Sequence, residues 1–518
     1  MTARPRLRHT RRGLLALAAT VTLALGGLLA SGASSPSRAA TQEPCDIYAA
    51  ASTPCVAAHS TTRALYAAYD GPLYKVERFS DDTTTDIYPL TTGGYANAAT
   101  QDSFCANTYC EITEIFDQSG NGNNLTDAPA GGADTGPDIL ANAAAAPATA
   151  GGHKVYGVNI SLGMGYRDDS TKDISTGNAS EGEYAVLDGS HFDNDCCFDY
   201  GNAETNNDDD GDGTMEAINF GDETTWGYGT GSGPWIMADL ENGLFSGVNA
   251  GYNSNDPTTD YRFTTAMLTG GANEWALYGG NADSGSLATD YSGVRPSGYT
   301  TMKKQGAIIL GIGGDNSDNA AGTFYEGVMT SGYPTAATEA AVQANIVSVG
   351  YANYTPSGDP FTSGAEVSIK ATTPCCTSDY ITGDYPSSDE VGLDAVTSSS
   401  STTLKEDATW IIKPGLANSN CVSFETANGS GDYIRHYDFE LYLEPNDGTT
   451  QFALDATFCP RAGNSGSNFS FMSYNYSAQY IRHYDYVGYV ASDGGSNAWD
   501  ASSLWYEDTT WASATALY

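Results

Sequence analysis

The final third of the chain repeats itself, and this repeat restricts the possible fold more than any other feature. The segment Asp432–Asp438 (DYIRHYD) recurs as Gln479–Asp485 (QYIRHYD), with the two histidines 47 residues apart. A second element follows each copy, as Leu454–Phe458 (LDATF) and Glu507–Trp511 (EDTTW). An earlier relative of this element is Glu406–Trp410 (EDATW). The chain therefore ends in three related units of about 50 residues.

Three such units of short strands suit either propeller blades or the lobes of a β-trefoil. Three units are too few for a propeller. We therefore predict a β-trefoil over residues 356–518. In its first lobe, Asp379-Tyr380-Ile381 is followed by Thr382-Gly383 where the other lobes have Arg-His.

Residues 41–355 contain no such repeat. Short apolar runs alternate there with Gly, Asn, Asp, Ser and Thr, which is typical of strands joined by turns. We predict one β-sandwich domain over this range, so that the whole chain is all-β.

Residues 1–40 have the pattern of a signal peptide. Arginines precede the apolar run Gly13–Ala30, and Ser37-Arg38-Ala39 offers small residues for cleavage. An uncleaved anchor is the alternative, but the run is marginal for a membrane span. Thr10-Arg11-Arg12 resembles a twin-arginine signal, with the general secretory route as the other possibility. We expect a secreted, extracellular protein.

The mature chain is strongly acidic. Residues 1–40 hold six arginines and no acid, so 16 basic and 63 acidic residues remain, a net charge of −47. Such a surface repels nucleic acid and anionic membranes, and it tolerates a neutral polymer. We expect a monomer that binds neither nucleic acid nor membrane.

The ten cysteines predict disulfides in an exported chain. Cys45/Cys55 and Cys105/Cys110 are close in sequence, and Cys421/Cys459 is a plausible longer pair. The absence of a Cys-x-x-Cys motif and the scatter of the six histidines argue against zinc. We expect no metal and no cofactor.

Two pairs of cysteines are adjacent in sequence, Cys196-Cys197 and Cys375-Cys376. A disulfide between neighbours closes a tight ring, and its sulfurs form a flat, polarisable plate against which a sugar can pack. The alternative is that each cysteine pairs elsewhere. For Cys375-Cys376 the sequence leaves the bonding open.

Two acidic stretches are candidates for chemistry. On a strand, Asp239 and Glu241 share one face, where two carboxylates raise each other's pKa if water is excluded. The alternative is a solvated strand end. The apolar strand from Ala307 ends in Gly313-Gly314-Asp315, where glycines let the backbone approach a ligand, although a plain turn has the same composition. Among 63 acids, these patterns alone do not select a catalytic pair.

The segment Asn206–Gly213 (NNDDDGDG) looks like half of a calcium loop. It lacks the glutamate that such a loop has at its twelfth position. We interpret it as an exposed acidic loop, with calcium binding left open.

Together these stretches resemble glycoside hydrolase family 54, of the α-L-arabinofuranosidase B type, followed by a family 42 arabinose-binding module. The resemblance spans nearly all of residues 41–518. It is carried by seven motifs: Cys45–Tyr48, Thr53–Tyr66, Phe116–Gly120, Cys196–Thr205, Trp235–Gly247, Gly306–Ser317 and Gly322–Met329.

The resemblance implies a role for each matching residue. Glu241 would be the nucleophile and Asp315 the general acid/base of a retaining, exo-acting glycosidase that releases arabinofuranose from arabinoxylan or arabinan. The implied sugar contacts in the catalytic domain are Cys196, Cys197, Trp226, Asp239, Asn242 and Gly314. The implied sugar sites of the module, with the acids that follow their motifs, are His436, Asp438, Asp455, His483, Asp485 and Asp508.

Two alternatives stay open. One is an arabinan-binding protein with little catalysis, and the other is an exo-glycosidase that also cleaves β-xylosides. The acidic loop Asn206–Gly213 departs from the family's pattern near the cysteine pair, so outer substrate contacts are not predicted. The sequence does not rank the natural polysaccharides.

Overall fold

The computed structural model describes residues 42–106, 108–354, 359–383 and 389–518. Thr41–Tyr518 forms one compact unit. Its secondary structure is mostly β, with 40% strand and 10% helix, as the all-β prediction requires. The predicted signal peptide and the predicted domain boundary at residues 355/356 fall outside the described residues. No helix within the described ranges is long and apolar enough to cross a membrane.

The helices are short and peripheral. Within the described residues they are α1 (Pro44–Ala50), α2 (Ala98–Phe104), α3 (Ala336–Val349), α4 (Thr402–Asp407), α5 (Thr450–Asp455) and α6 (Trp505–Asp508), with a 3₁₀ turn at Ala498–Asp500. The longest, α3, begins where the Thr335 side chain accepts a hydrogen bond from the Thr338 amide. It ends at Gly350, whose φ of 66° is left-handed.

Strands make up the rest of the regular structure. In chain order they are β1 (Cys55–Ser60), β2 (Tyr74–Arg78), β3 (Thr84–Ile87), β4 (Cys110–Ile115), β5 (Leu125–Asp127), β6 (Ala146–Ala150), β7 (His153–Ile160), β8 (Tyr166–Asp168), β9 (Glu181–Phe192), β10 (Asp199–Ala203), β11 (Glu216–Gly221), β12 (Tyr228–Thr230), β13 (Trp235–Asp239), β14 (Leu244–Phe245), β15 (Tyr252–Pro257), β16 (Thr264–Gly271), β17 (Glu274–Asn281), β18 (Ala288–Gly293), β19 (Ala307–Leu310), β20 (Gly322–Ser331), β21 (Ala352–Asn353), β22 (Glu366–Ala371), β23 (Asp379–Thr382), β24 (Gly392–Ala395), β25 (Trp410–Pro414), β26 (Val422–Thr426), β27 (Asp432–Tyr437), β28 (Glu440–Pro445), β29 (Phe458–Ala462), β30 (Phe469–Ser473), β31 (Tyr480–Tyr484), β32 (Val487–Ala491) and β33 (Trp511–Thr515).

Two large sheets occupy the first two thirds of the chain. One has the order β18-β17-β16-β9-β20-β7-β6-β21, with β1 also paired to β20. The other has the order β14-β13-β11-β10-β19-β8-β5-β4-β2-β3. Side chains of both sheets join a single apolar core, among them Val158 and Ala185 from the first and Ile218 and Ile308 from the second. The two sheets therefore bury their apolar faces together.

The last third forms one sheet of 12 strands around a second core. The hairpins β23–β24, β27–β28 and β31–β32 recur once in each sequence repeat. The last strand, β33, pairs with the first, β22, so the sheet closes on itself.

The two regions pack directly on each other. Asn142 donates a 2.6 Å hydrogen bond to the Tyr480 hydroxyl, and the Tyr474 hydroxyl donates to the Ser190 carbonyl at 2.8 Å. One buried cluster combines residues of both regions: Tyr109, Ala145, Cys421, Cys459, Met472, Tyr474, Tyr480 and Trp505.

Five disulfides join the ten cysteines. They are Cys45–Cys55, Cys105–Cys110, Cys196–Cys197, Cys375–Cys376 and Cys421–Cys459. Four are the pairs expected from the sequence, and Cys375–Cys376, left open there, is bonded.

Candidate active site

The candidate carboxylates follow the ends of neighbouring strands in the second large sheet. Strand β10 pairs with β11 on one side and with β19 on the other, and β11 pairs with β13. Residues distant in sequence, such as Tyr200 and Leu310, therefore lie directly opposite each other. This order brings together the segments that contain Cys196-Cys197, Asp239–Asn242 and Gly313–Asp315.

A tight turn, not a strand, positions Glu241. Strand β13 ends at Asp239, and Glu241 and Asn242 have left-handed φ angles of 63° and 58°. The Glu241 amide donates to Asp239 Oδ1 at 2.9 Å, and the Tyr299 hydroxyl donates to the Glu241 carbonyl at 2.8 Å. The prediction that strand alternation carries Glu241 onto the face of Asp239 is wrong, because the backbone reverses after Leu240.

The Asp315 segment reaches Glu241 through a glycine. A Cβ on Gly314 would lie 2.9 Å from Glu241 Oε2 and 2.2 Å from Glu204 Oε2, so a larger residue there would displace both carboxyl groups. Arg167 Nη1 donates to the Gly314 carbonyl at 2.8 Å and fixes this approach. The Ser317 amide donates to Asp315 Oδ1 at 3.1 Å.

The Cys196–Cys197 disulfide lies beside these carboxylates. Cys197 Sγ is 3.7 Å from Asp239 Oδ2. A Cβ built on Gly313 would meet the same sulfur at 3.5 Å. The plate therefore contacts both the segment that leads to Glu241 and the one that leads to Asp315.

Burial among other acids dominates the electrostatics. Desolvation, and then the charges of Asp239 and Glu204, raise the pKa of Glu241 to about 10. Desolvation and the neighbouring Asp199 raise the pKa of Asp239 well above its ordinary value. Desolvation also raises the pKa of Asp199 to about 7. Because like charges this close cannot all ionise, the group shares protons at neutral pH.

Sequence reasoning missed four polar residues at this site. Asp199 accepts a 2.7 Å hydrogen bond from Asn219, and Glu204 lies against Glu241. Arg167 donates to the carbonyls of both Glu204 and Gly314. Asp199 and Glu204 flank the strand after the cysteine pair, but the sequence pattern does not distinguish them from other acids.

Asn242 and Trp226 are exposed, whereas Glu241 is buried. Asn242 Nδ2 donates to Asp209 Oδ1 at 3.2 Å, so the acidic loop contacts the turn that holds Glu241. Trp226 is 45% exposed, and its backbone amide donates a hydrogen bond to Glu223. Among the described residues, no hydrogen bond joins Trp226 to the candidate carboxylates.

The acidic loop does not collect ligands for a metal in the described residues. Neither of the two clusters of potential ligand atoms found there includes residues 206–213. One of these clusters is Cys196, Cys197 and Asp239, whose sulfurs are already bonded to each other. The other is Asp134, Asp138 and Asp318. The loop acid Asp210 instead accepts a hydrogen bond from Gln305.

The first predicted sugar site of the C-terminal region is built around a buried histidine and aspartate. His436 Nε2 lies 3.5 Å from Asp455 Oδ1. Arg435 and Asn475 donate to the same carboxylate at 3.2 and 3.0 Å. Burial lowers the pKa of His436, so the imidazole is neutral at pH 7.

The second predicted sugar site repeats this arrangement. His483 Nε2 lies 3.5 Å from Asp508 Oδ1, and Arg482 donates to the other oxygen at 3.0 Å. Thr373, from the first repeat, donates to Asp508 at 2.9 Å. Burial lowers the pKa of His483 as well.

Asp438 and Asp485 are placed elsewhere. Both are exposed in hairpin turns, with left-handed φ angles of 52° and 51°. Within the described residues, no hydrogen bond or ion pair joins either of them to a histidine–aspartate pair.

A cavity of about 550 Å³ lies away from this chemistry. It is lined by residues of both regions, including Tyr156, Arg262, Arg461 and Tyr474, and by none of the candidate catalytic carboxylates. We assign the chemistry to the Glu241 site because convergent acids, and not cavity size, determine what a site can do.

Two family models match this chain. The one described as alpha-L-arabinofuranosidase B, catalytic, matches residues 44–352. The one described as the alpha-L-arabinofuranosidase B (ABFB) domain matches residues 369–513.

Curated relatives and solved structures agree with these matches. The chain is 56% identical over 493 residues to the probable alpha-L-arabinofuranosidase B of Aspergillus clavatus, which covers 93% of this chain and 96% of that protein. It is 55% identical over 496 residues to the alpha-L-arabinofuranosidase of Hypocrea jecorina, which covers 94% and 96%. A solved arabinofuranosidase complexed with arabinofuranosyl-α-1,2-xylobiose matches with a TM-score of 0.85 and 56% identity, and covers 92% of this chain and 100% of that one. The chain therefore belongs to the α-L-arabinofuranosidase B family, glycoside hydrolase family 54, and is an α-L-arabinofuranosidase.

Proposed function

We propose that this enzyme is a secreted, retaining, exo-acting α-L-arabinofuranosidase, with Glu241 as the nucleophile and Asp315 as the general acid/base. One observation carries the assignment. Gly314 brings the backbone next to Asp315 against the Glu241 carboxylate, while the Cys196–Cys197 plate flanks both segments. Two acids from different strands thus converge on one small site.

The proposed reaction needs these residue types. Asp315 protonates the leaving oxygen while Glu241 attacks the anomeric carbon, and the carboxylate formed at Asp315 then activates water. Glu241 must be ionised to attack, yet burial raises its pKa to about 10 in the ligand-free site. The proton must therefore pass to a neighbouring acid when the sugar binds.

We further propose that residues 41–355 form a β-sandwich catalytic domain and residues 356–518 a β-trefoil module. The shared core of the two large sheets supports the first, and the threefold recurrence of hairpins supports the second. The family-model limits at residues 352 and 369 bracket the proposed boundary.

In the module, we assign terminal arabinofuranose to the His436/Asp455 and His483/Asp508 sites. A neutral imidazole beside a carboxylate offers both a donor and an acceptor for sugar hydroxyls. Gly383 replaces the histidine in the first lobe, so we assign no sugar to that lobe.

The proposed substrates are arabinoxylan and arabinan. A solved relative was complexed with arabinofuranosyl-α-1,2-xylobiose, an arabinose branch on a xylose backbone. The acidic surface is compatible with such neutral polymers. Five disulfides and the signal-like residues 1–40 support export.

A panel of nitrophenyl glycosides tests the proposal. We expect hydrolysis of the α-L-arabinofuranoside to dominate over that of the β-D-xyloside. Asp315→Asn should slow branched oligosaccharides far more than nitrophenyl arabinofuranoside, because a good leaving group needs little protonation. Equal losses on both substrates would remove Asp315 from the acid role, and a lack of turnover by the native enzyme would favour a binding protein.

A further inference from the structure

Glu204 is a buried acid that the mechanism above does not use. It follows strand β10 and is fully buried. Thr214 donates a hydrogen bond to Oε1, while Oε2 accepts none from an N–H or hydroxyl group of the described residues and faces the carboxyl group of Glu241. Glu204 Oε2 and Glu241 Oε2 both crowd the same face of Gly314, at 2.2 and 2.9 Å from the position of a Cβ.

This pair of acids has no ion-pair partner among the described residues. The charge of Arg167 acts on Glu204, but its guanidinium donates to the backbone carbonyls of Glu204 and Gly314 and forms an ion pair with Asp169 at 2.6 Å. Among the described residues, neither Glu204 nor Glu241 takes part in an ion pair with Lys, Arg or His. Two adjacent carboxyl groups that lack a cation are held together by a proton.

We propose that Glu204 is the proton partner of the nucleophile: one proton is shared between Glu204 and Glu241, and Glu204 holds it while Glu241 attacks. This inference rests on the proposed role of Glu241. The two side chains differ in access, since Glu204 is 0% exposed and Glu241 is 8% exposed. Glu204 is thus a positioning residue that acts through Glu241.

In the proposed reaction, every proton passes between these acids, the leaving oxygen and water. The proton moves from Glu241 Oε2 to Glu204 Oε2, and Glu241 forms the bond to the anomeric carbon as Asp315 gives its proton to the leaving oxygen. In the second half, Asp315 takes a proton from water, the hydroxide oxygen attacks, and the ester bond to Glu241 breaks. The released carboxylate then regains the shared proton from Glu204.

The electrostatics describe the resting pair. Burial raises the pKa of both acids, and the hydrogen bond between them raises the pKa of Glu241 and lowers that of Glu204, so the shared proton rests on Glu241. Transfer of this proton to Glu204 gives an ionised Glu241 with a neutral donor beside it. Without Glu204 no neighbour receives the proton, so Glu241 should ionise at a higher pH than the first ionisation of the pair.

Two substitutions separate this role from a structural one. In Glu204→Gln, the amide cannot receive the proton of Glu241, but its nitrogen can donate a hydrogen bond that stabilises Glu241 once the proton is lost to water. In Glu204→Ala, no donor remains. Glu339→Gln, a fully buried acid on helix α3, is the matched control for loss of a buried carboxyl group outside the site.

We expect Glu204→Gln to keep kcat on nitrophenyl arabinofuranoside within about tenfold of the native enzyme. Glu204→Ala should lower kcat by about a hundredfold or more and move the acid limb of kcat/KM upward by about one pH unit, with little change in KM. Equal losses for both variants, or an unmoved acid limb in Glu204→Ala, would overturn the inference. Thermal unfolding of each variant accompanies the kinetics.

A covalent-labelling experiment tests the assignment of Glu241 as nucleophile independently of the role of Glu204. An arabinofuranose-configured electrophile is reacted with the native enzyme and both variants, and the labelled peptide is mapped by mass spectrometry. A label on Glu241 with unchanged kinetics in Glu204→Ala refutes only the proton partnership. A label on another residue refutes the proposed nucleophile, whatever the kinetics of the Glu204 variants.

Discussion

The Cys196–Cys197 disulfide contacts Asp239, the acid two residues before Glu241, and so its sulfurs border the proposed sugar site. Replacement of both cysteines by alanine should raise KM or lower kcat on the order of tenfold, because one wall of the site is lost. Thermal stability should change little, since a ring between neighbours constrains little of the unfolded chain.

The matched control is Cys105→Ala with Cys110→Ala, which removes another short disulfide, the one at the start of strand β4. That variant should retain its kinetic constants. Equal kinetic losses in the two double variants would mean that Cys196–Cys197 acts only through the fold.

For single residues, the sequence predicts a site member well only where its sequence context is rare. Cys196-Cys197 stands out by its adjacency, and Gly314-Asp315 by its place after an apolar strand. Glu204 and Asp199 do not stand out, because their burial and their shared protons arise only when residues as far apart as Tyr200 and Leu310 pair across neighbouring strands. A strand pattern also does not predict the left-handed φ of Glu241.

Helix α3 buries Glu339 against the first sheet. The Tyr48 hydroxyl donates to Glu339 Oε2 at 2.6 Å, and burial raises the pKa of Glu339 to about 7. The folded protein therefore holds this proton more tightly than the unfolded chain, whose glutamates titrate near 4.3. Stability from this group is full below about pH 4 and is lost as the pH rises towards 7, by about 1.4 kcal/mol per unit.

Glu339→Gln should remove this part of the pH dependence. Between pH 5 and 7, the free energy of unfolding of the variant should fall less steeply than that of the native enzyme. Urea unfolding at a series of pH values measures both slopes. Parallel curves would mean that Glu339 is already ionised in the folded protein at pH 5.

Alternation along β13 predicts that one of its faces belongs to the core, and this prediction is confirmed. Ile236, Ala238 and Leu240 are all fully buried in the main core. The opposite face is predicted to carry the acids, with a solvated strand end as the alternative, yet Trp235 and Met237 are also buried, in a small cluster with Leu244 and the partly buried Tyr228. Cover from residues on other strands leaves no mark in the alternation of one strand.

The catalytic region and the C-terminal region share a buried apolar cluster and direct hydrogen bonds, so they behave as one body. A chain shortened near residue 352 would expose that cluster. The sequence predicts two regions and the repeats of the second, but not this contact, because the contact residues carry no periodic pattern. Substitution within the full chain is therefore the sound way to test the module.

Asp455→Asn combined with Asp508→Asn should weaken binding to insoluble arabinoxylan at least tenfold, because each proposed sugar site loses its charged acceptor. Two weak sites on one module act together on a branched polymer, so their joint loss exceeds either single loss. Activity on nitrophenyl arabinofuranoside should stay within about twofold. Sedimentation with the polymer measures the binding.

The control for the module is Asp407→Asn, which changes the matching acid in the lobe that lacks the histidine. Its binding should equal that of the native enzyme. If the Asp455/Asp508 double variant sediments as well as the native enzyme, these acids are not the sugar sites.

The stereochemistry of azide rescue tests the two central roles most directly. Asp315→Gly and Glu241→Gly are each incubated with nitrophenyl α-L-arabinofuranoside and azide, and the product is identified by NMR. Azide should replace water in Asp315→Gly and give the α-azide with retention, whereas in Glu241→Gly it should replace the nucleophile and give the inverted β-azide. The exchange of these two products between the variants, or a β-azide from both, would contradict the assignment of Glu241 as nucleophile and Asp315 as acid/base.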